Sequence, residues 1–110
     1  MKTIEERRVA RYVLNLTGTR ALILDALALS PHPMTLAEIR FAISAVEKPT
    51  TSKIGTDLHA LRVRGAIIAT ASDNRTNEYT ISRPAKLAID GGRYDKVMKA
   101  VREAVWELYR

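Results

Sequence analysis

The chain has 110 residues, of which 46% are hydrophobic and 27% charged, a composition that folds into one core rather than staying disordered. Cysteine is absent, which excludes disulfides, a thiol nucleophile and cysteine metal sites, and the two histidines, His32 and His59, are too few for a histidine metal centre. Eighteen Lys and Arg against twelve Asp and Glu give a net charge of +6, which points to an anionic partner: nucleic acid or an acidic membrane surface.

The first predicted helix spans Thr3 to Leu16. Thr3 and Glu6 have capping-box spacing, and Val9, Val13 and Leu16 mark one face, with Arg7, Arg8 and Arg11 elsewhere on the wheel. Thr17-Gly18 breaks the pattern. A second helix from Thr19 to about Leu29 is apolar around most of its circumference, as central, buried helices are. Ser30-Pro31-His32-Pro33 ends it, because proline lacks an N–H and restricts the residue before it. The third helix opens with a second capping box, Thr35 and Glu38, carries Leu36, Ile39, Ala42 or Ile43, and Val46 as its buried stripe, and stops near Glu47.

The fourth helix begins among Thr50, Thr51 and Ser52, each able to cap it, and turns Ile54, Leu58 and Leu61 inward. Gly65 follows Arg62 and Arg64, where a left-handed terminating residue is expected. The period then changes. Ala66 to Thr70 and Glu78 to Ser82 are predicted strands around the polar loop 72–77, together a β-hairpin closed by Arg83-Pro84. Residues 85–92 are predicted as a connector hinged at Gly91-Gly92. A last amphipathic helix runs from about Arg93 to Arg110, with Tyr94, Val97, Val101, Ala104 or Val105, and Leu108 at helical spacing.

No apolar run approaches the roughly 20 residues that a bilayer span needs; the longest, Ala21 to Leu29, contains Asp25. The N-terminal stretch Met1 to Arg11 lacks the apolar region of a signal peptide. The expected location is therefore a reducing compartment, the cytoplasm, without membrane attachment.

Three helices, a strand, a polar loop and a strand follow one another from Thr19 to Ser82, and this stretch resembles a winged helix-turn-helix domain. The segment Thr51-Ser52-Lys53-Ile54-Gly55-Thr56-Asp57-Leu58-His59-Ala60-Leu61-Arg62-Val63-Arg64-Gly65-Ala66-Ile67-Ile68 carries the resemblance most specifically. It looks like that family's third helix, the glycine turn after it and the strand entering the wing. Leu58, Leu61, Gly65 and Ile67-Ile68 take the family's places. One departure is the link around Val46 to Thr50, longer than the three- or four-residue turn of a compact helix-turn-helix. The fold class implied is mainly α with a small β-hairpin (α+β): a winged helix-turn-helix with extra N- and C-terminal helices. Residues 1–110 form one domain, divided into an N-terminal helix at 1–18, a core at 19–82, and a connector with a C-terminal helix at 83–110.

Opposite Ile54, Leu58 and Leu61, the fourth helix presents Ser52, Lys53, Thr56, His59 and Ala60. Side chains of this kind donate to or accept from base edges, or permit close approach, in a major groove. The same pattern also describes an ordinary solvated face. Arg62, Arg64 and Lys48 suit backbone phosphates, and Asn74 and Arg75 at the hairpin tip suit a backbone or minor-groove contact, or a plain polar turn. Asp57 counts against phosphate contact unless it pairs with Lys53 four residues earlier. Between 48 and 83, Lys48, Lys53, Arg62, Arg64, Arg75 and Arg83 outnumber Asp57, Asp73 and Glu78, whereas 21–47 holds only Arg40 against Asp25, Glu38 and Glu47.

The terminal helix packs either on its own domain or across a two-fold axis through Tyr94, Val97, Val101, Val105 and Leu108. Trp106 lies off that stripe, as an interface anchor would. No P-loop, dinucleotide fingerprint, G-x-S-x-G or paired-carboxylate arrangement occurs, so neither an enzyme nor a bound cofactor or metal is expected. The resemblance implies a sequence-specific double-stranded DNA-binding protein. It would be a transcriptional regulator acting as a homodimer, nucleoid-associated when bound. A winged-helix protein-interaction module and an accessory protein of replication or partition remain the alternatives.

Overall fold

Three threonine side chains set where helices begin in the computed structural model, which describes residues 3–71, 76–90 and 96–109, the side chains of 90 and 96–99 excepted. Thr3 accepts from the Glu6 amide at 3.1 Å and starts α1 (Ile4–Leu14). Thr35 and Glu38 form a complete capping box at the start of α3 (Leu36–Ile43). Thr50 accepts from the Lys53 amide at 3.1 Å and starts α4 (Thr51–Val63). Each cap supplies an acceptor to a first-turn donor that the helix cannot satisfy. Helix α2 (Gly18–Leu29) has no side-chain cap; Gly18 opens it at φ +67°, and Thr19 donates to the Glu47 carboxylate at 3.0 Å.

The third helix is shorter than its apolar pattern predicts. Its last regular residue is Ile43, after which the Val46 and Glu47 amides both fold back onto the Ile43 carbonyl. The Ser44 hydroxyl donates to the Phe41 carbonyl at 2.6 Å, a local bond that competes with helix continuation. Val46 consequently leaves the predicted buried stripe and is exposed. The connection to α4 runs from Ser44 to Thr50, longer than a compact helix-turn-helix turn.

At its other end, α4 stops on Gly65. The Gly65 amide donates to the Arg62 carbonyl and the Ala66 amide to Leu61, at 3.0 and 2.9 Å, while Gly65 sits at φ +75°. That bond pair is a Schellman motif, and the left-handed residue turns the chain straight into β2 (Ile67–Ala71). Strand β3 (Asn77–Ile81) returns antiparallel, with Ile67 opposite Ile81 and Ala71 opposite Asn77. A third strand, β1 (Met34–Thr35), pairs with β3 through Met34 and Tyr79, giving the order β1-β3-β2. At two residues, β1 is too short to show strand alternation in the sequence.

The predicted connector at 85–92 is corrected: α5 (Arg83–Asp90) occupies most of it. Pro84 starts this helix as well as ending the hairpin, since a first-turn residue needs no N–H. Ala85 and Ile89, four apart, are buried, and α5 packs against α1. Helix α6 (Lys96–Leu108) lies across α2 and α3. One apolar cluster draws from each of α1 to α6, including Val13, Ile23, Leu24, Ile39, Leu58, Ile89 and Val101. The order helix, strand, helix, helix, strand, strand from α2 to β3, with the sheet beside the helices, is a winged helix-turn-helix. Helices α1, α5 and α6 are added around it.

Alanine at the glycine within α4 and at the glycine just past its end should act in opposite directions. Gly55 lies within the helix with open space around a Cβ, so Gly55→Ala should raise stability by about 0.5–1 kcal/mol. At Gly65 a Cβ meets only Val9 Cγ2 at an ordinary 3.4 Å, but the backbone is left-handed. Gly65→Ala should therefore cost about 1–2 kcal/mol. Urea unfolding with an unchanged m-value checks both signs.

Candidate nucleic-acid interface

The roll of α4 is fixed from its apolar side. Ile54, Leu58 and Leu61 are buried in the common core, each contributing roughly 1.5–3 kcal/mol over exposure. The opposite side then has to face solvent. Ser52, Thr56 and His59 are exposed there as the sequence predicts, and Ala60 and Gly55 are half-buried. Val63, which the sequence reading did not place on this face, continues the same line at helical spacing and is 69% exposed. Thr56 donates its hydroxyl to the Ser52 carbonyl at 3.1 Å, so its remaining capacity toward a ligand is as an acceptor, with its methyl as an apolar contact.

Asp57 takes the alternative that the sequence left open, the pair with Lys53, and is buried as well. It is not a surface carboxylate opposing phosphates: only 1% of its side chain is exposed. The Arg20 guanidinium of α2 binds it through Nε at 3.0 Å, and Lys53 Nζ binds its other oxygen at 3.0 Å. The Lys53 pairing is the one the i,i+4 spacing predicts; Arg20 is the partner the sequence hides. Its position was nonetheless readable. Asp57 follows Ile54 by three and precedes Leu61 by four, which puts it at the edge of the buried face. The Asp57 bond holds the Arg20 guanidinium pKa above its ordinary value against the opposing effect of burial, with a smaller contribution from Tyr12. Two cations around one carboxylate leave this flank of α4 net positive.

The remaining backbone candidates divide by environment. Arg62 and Lys48 are exposed, and neither joins an ion pair or ring contact among the described residues. Arg64 is exposed but lies over the Tyr12 ring, 5.3 Å from its centroid, which ties the end of α4 to α1. Asn74 and Arg75 lie outside the described residues. On α6, Val101 and Val105 point into the chain's own core and Leu108 packs against it half-buried, so the apolar stripe serves intramolecular packing. Trp106 is 70% exposed on the other side of the helix. Tyr94 and the Val97 side chain lie outside the described residues. His32, in the proline loop, meets Tyr109 edge-on at 5.2 Å between centroids.

Among the described residues no group of His, Cys, Asp or Glu could hold a metal ion, and no single helix is long and apolar enough to cross a membrane. The outward line of α4, its flanking cations and the adjoining hairpin define the molecule as a winged-helix protein with a basic, polar helix presented to solvent. Among solved structures, the chain is similar to a MarR family protein of Mycobacterium tuberculosis in complex with p-aminosalicylic acid. The identity is 25%, covering 94% of this chain and 74% of that one, with a TM-score of 0.48. No protein-family model matches the chain, and no curated protein matches it either.

The Asp57 clamp should be redundant to single loss and intolerant of double loss. Arg20→Met or Lys53→Met alone leaves the buried carboxylate one cation and should cost about 1–2 kcal/mol. The double variant strands it and should cost about 3–5 kcal/mol. Double-mutant-cycle denaturation measures the coupling, and strict additivity of small losses would show that Asp57 finds other solvation.

Proposed function

We propose that this chain binds double-stranded DNA sequence-specifically and acts as a transcriptional regulator. The observation that carries the reading is the exposed line Ser52, Thr56, His59 and Val63 on a helix whose roll is locked by Ile54, Leu58, Leu61 and Asp57. A rigid helix with short polar side chains outward can enter a major groove and meet base edges closely. Ser52 and Thr56 offer hydrogen bonds, His59 offers either a donor or an acceptor, and the Val63 and Thr56 methyl groups match a thymine methyl. Arg62 and Lys48 stand beside this line and suit phosphates. Lys53 contributes its charge from its pair with Asp57 and supports a base contact only if that bond is exchanged. Arg64, Asn74 and Arg75 complete the proposed backbone set.

The protein acts as a homodimer in this reading, with Trp106 as its anchor, since it is a mostly exposed tryptophan on a helix whose apolar stripe already covers its own core. Two copies would present two copies of α4 to half-sites about one helical turn apart. The longer Ser44–Thr50 connection favours a second reading, a protein-interaction module that uses the same face.

Fluorescence anisotropy with labelled duplex and single-stranded DNA at several salt concentrations separates these. Binding should prefer duplex and weaken steeply with salt, with a log–log slope of about −0.9 per phosphate neutralised. Arg62→Ala should make that slope shallower by about one unit, whereas Ser52→Ala should relax discrimination at one base position by about 1–3 kcal/mol. Absence of duplex affinity at low salt overturns the DNA reading in favour of protein docking. For assembly, sedimentation equilibrium should give a dimer that Trp106→Ala shifts to monomer; a wild-type monomer at high concentration removes the homodimer.

A further inference from the structure

Helix α3 carries an outward face that the core does not use. Ile39, Ala42 and Ile43 are fully buried and complete its inner stripe, yet Phe41 is 48% exposed. Phe41 lies in an open groove between α3 and the start of α4, lined also by Ala37, Arg40, Ser44, Lys48 and Thr51. Arg40 and Lys48 are both exposed, and no carboxylate lines the groove. The two acidic residues nearest in sequence are engaged elsewhere: Glu38 accepts from the Thr35 amide and Glu47 from the Thr19 hydroxyl. The Ser44 hydroxyl donates to the Phe41 carbonyl, so it offers a ligand only acceptor capacity. What remains is an aromatic floor edged by two cations. Its complement is a chain that alternates anionic groups with apolar rings or carbons.

We propose that this groove seats one sugar–phosphate strand of the duplex, with Arg40 and Lys48 on phosphates and Phe41 against a deoxyribose. The inference rests on the DNA-binding reading above and extends it to α3, whose segment 21–47 carries Arg40 as its one cation. An acidic peptide has related chemistry, but continuity favours the nucleic acid. Thr51 lines the groove and is followed directly by Ser52, the first residue of the outward line of α4, so a single duplex can occupy both surfaces. Phosphate and sugar contacts of this kind set register and carry no base information.

Arg40→Ala and Phe41→Ala in the full chain, titrated with labelled duplex at several salt concentrations, test the assignment. Arg40→Ala should weaken every duplex alike and make the salt slope shallower by about one unit. Phe41→Ala should weaken binding by about three- to tenfold with the slope unchanged, because the ring carries no charge. Wild-type urea midpoints in both variants would exclude misfolding as the cause. If wild-type protein binds duplex with a steep salt slope and both variants match it, the groove assignment falls and the DNA reading stands. If wild-type protein shows no duplex affinity at low salt, both fall. Tighter binding of labelled polyglutamate than of duplex, lost in both variants, assigns the groove to an acidic protein and overturns the proposal.

Discussion

A carboxylate with 1% of its side chain exposed has to be solvated by the protein, and Asp57 is solvated by two cations from different places in the chain. Lys53 comes from one turn earlier on the same helix; Arg20 comes from α2, a largely buried helix. Burial of Ile54, Leu58 and Leu61 alone restrains α4 with a non-directional force that tolerates some rotation. The bonds to Asp57 are directional and close the helix to one roll. Any rotation that moved Ser52, Thr56 and His59 off the solvent side would drag Asp57 away from Arg20. The presented face and the buried ion cluster are thus two consequences of the same geometry.

The ends of α4 are fixed with comparable economy. Thr50 caps its start, and the Schellman bonds at Gly65 both end the helix and aim the chain into the hairpin. Arg64 over Tyr12 ties that end to α1, which α5 backs in turn. The wing therefore leaves α4 in a defined direction, set by one left-handed residue and a ring contact rather than by a long loop. Helix α6 covers α2 and α3 with Val101 and Val105 and leaves Trp106 outward. Apolar burial within the chain and an outward aromatic coexist on one helix because they sit on different faces of it.

Charge is distributed to the same effect. The exposed cations Arg40, Lys48 and Arg62 border α3, the connection and α4, whereas Glu38, Glu47 and Asp57 spend their oxygens on intramolecular donors. The Asp57 carboxylate is held inside by Arg20 and Lys53, and the Glu38 and Glu47 carboxylates are held toward neutral intramolecular donors, away from the exposed cations. That placement is the electrostatic basis of the functional reading, since an approaching polyanion meets the exposed Arg40, Lys48 and Arg62 while Asp57 is buried between two cations.

The order of elements, their caps and the identity of the buried residues on α1, α2 and α4 were legible because they depend on local chemistry. A threonine three residues before a glutamate, an apolar stripe at 3.6-residue spacing and a glycine after arginines act through neighbours in sequence. Strand β1 was not legible, because two residues gain strand character only from a partner in β3. Helix α5 was missed because Pro84 ends one element and starts another with equal ease. The outward line of α4 followed from its apolar side, but Val63 and Phe41 were hidden, since an apolar residue is assumed buried until packing leaves it out. The sequence by itself determined the winged-helix order, the basic balance and the polar face of α4. Only the tertiary structure decided that Arg20 closes on Asp57, that Val101 and Val105 belong to the core, and that Arg40 and Phe41 border α4, because these juxtapositions join segments far apart along the chain.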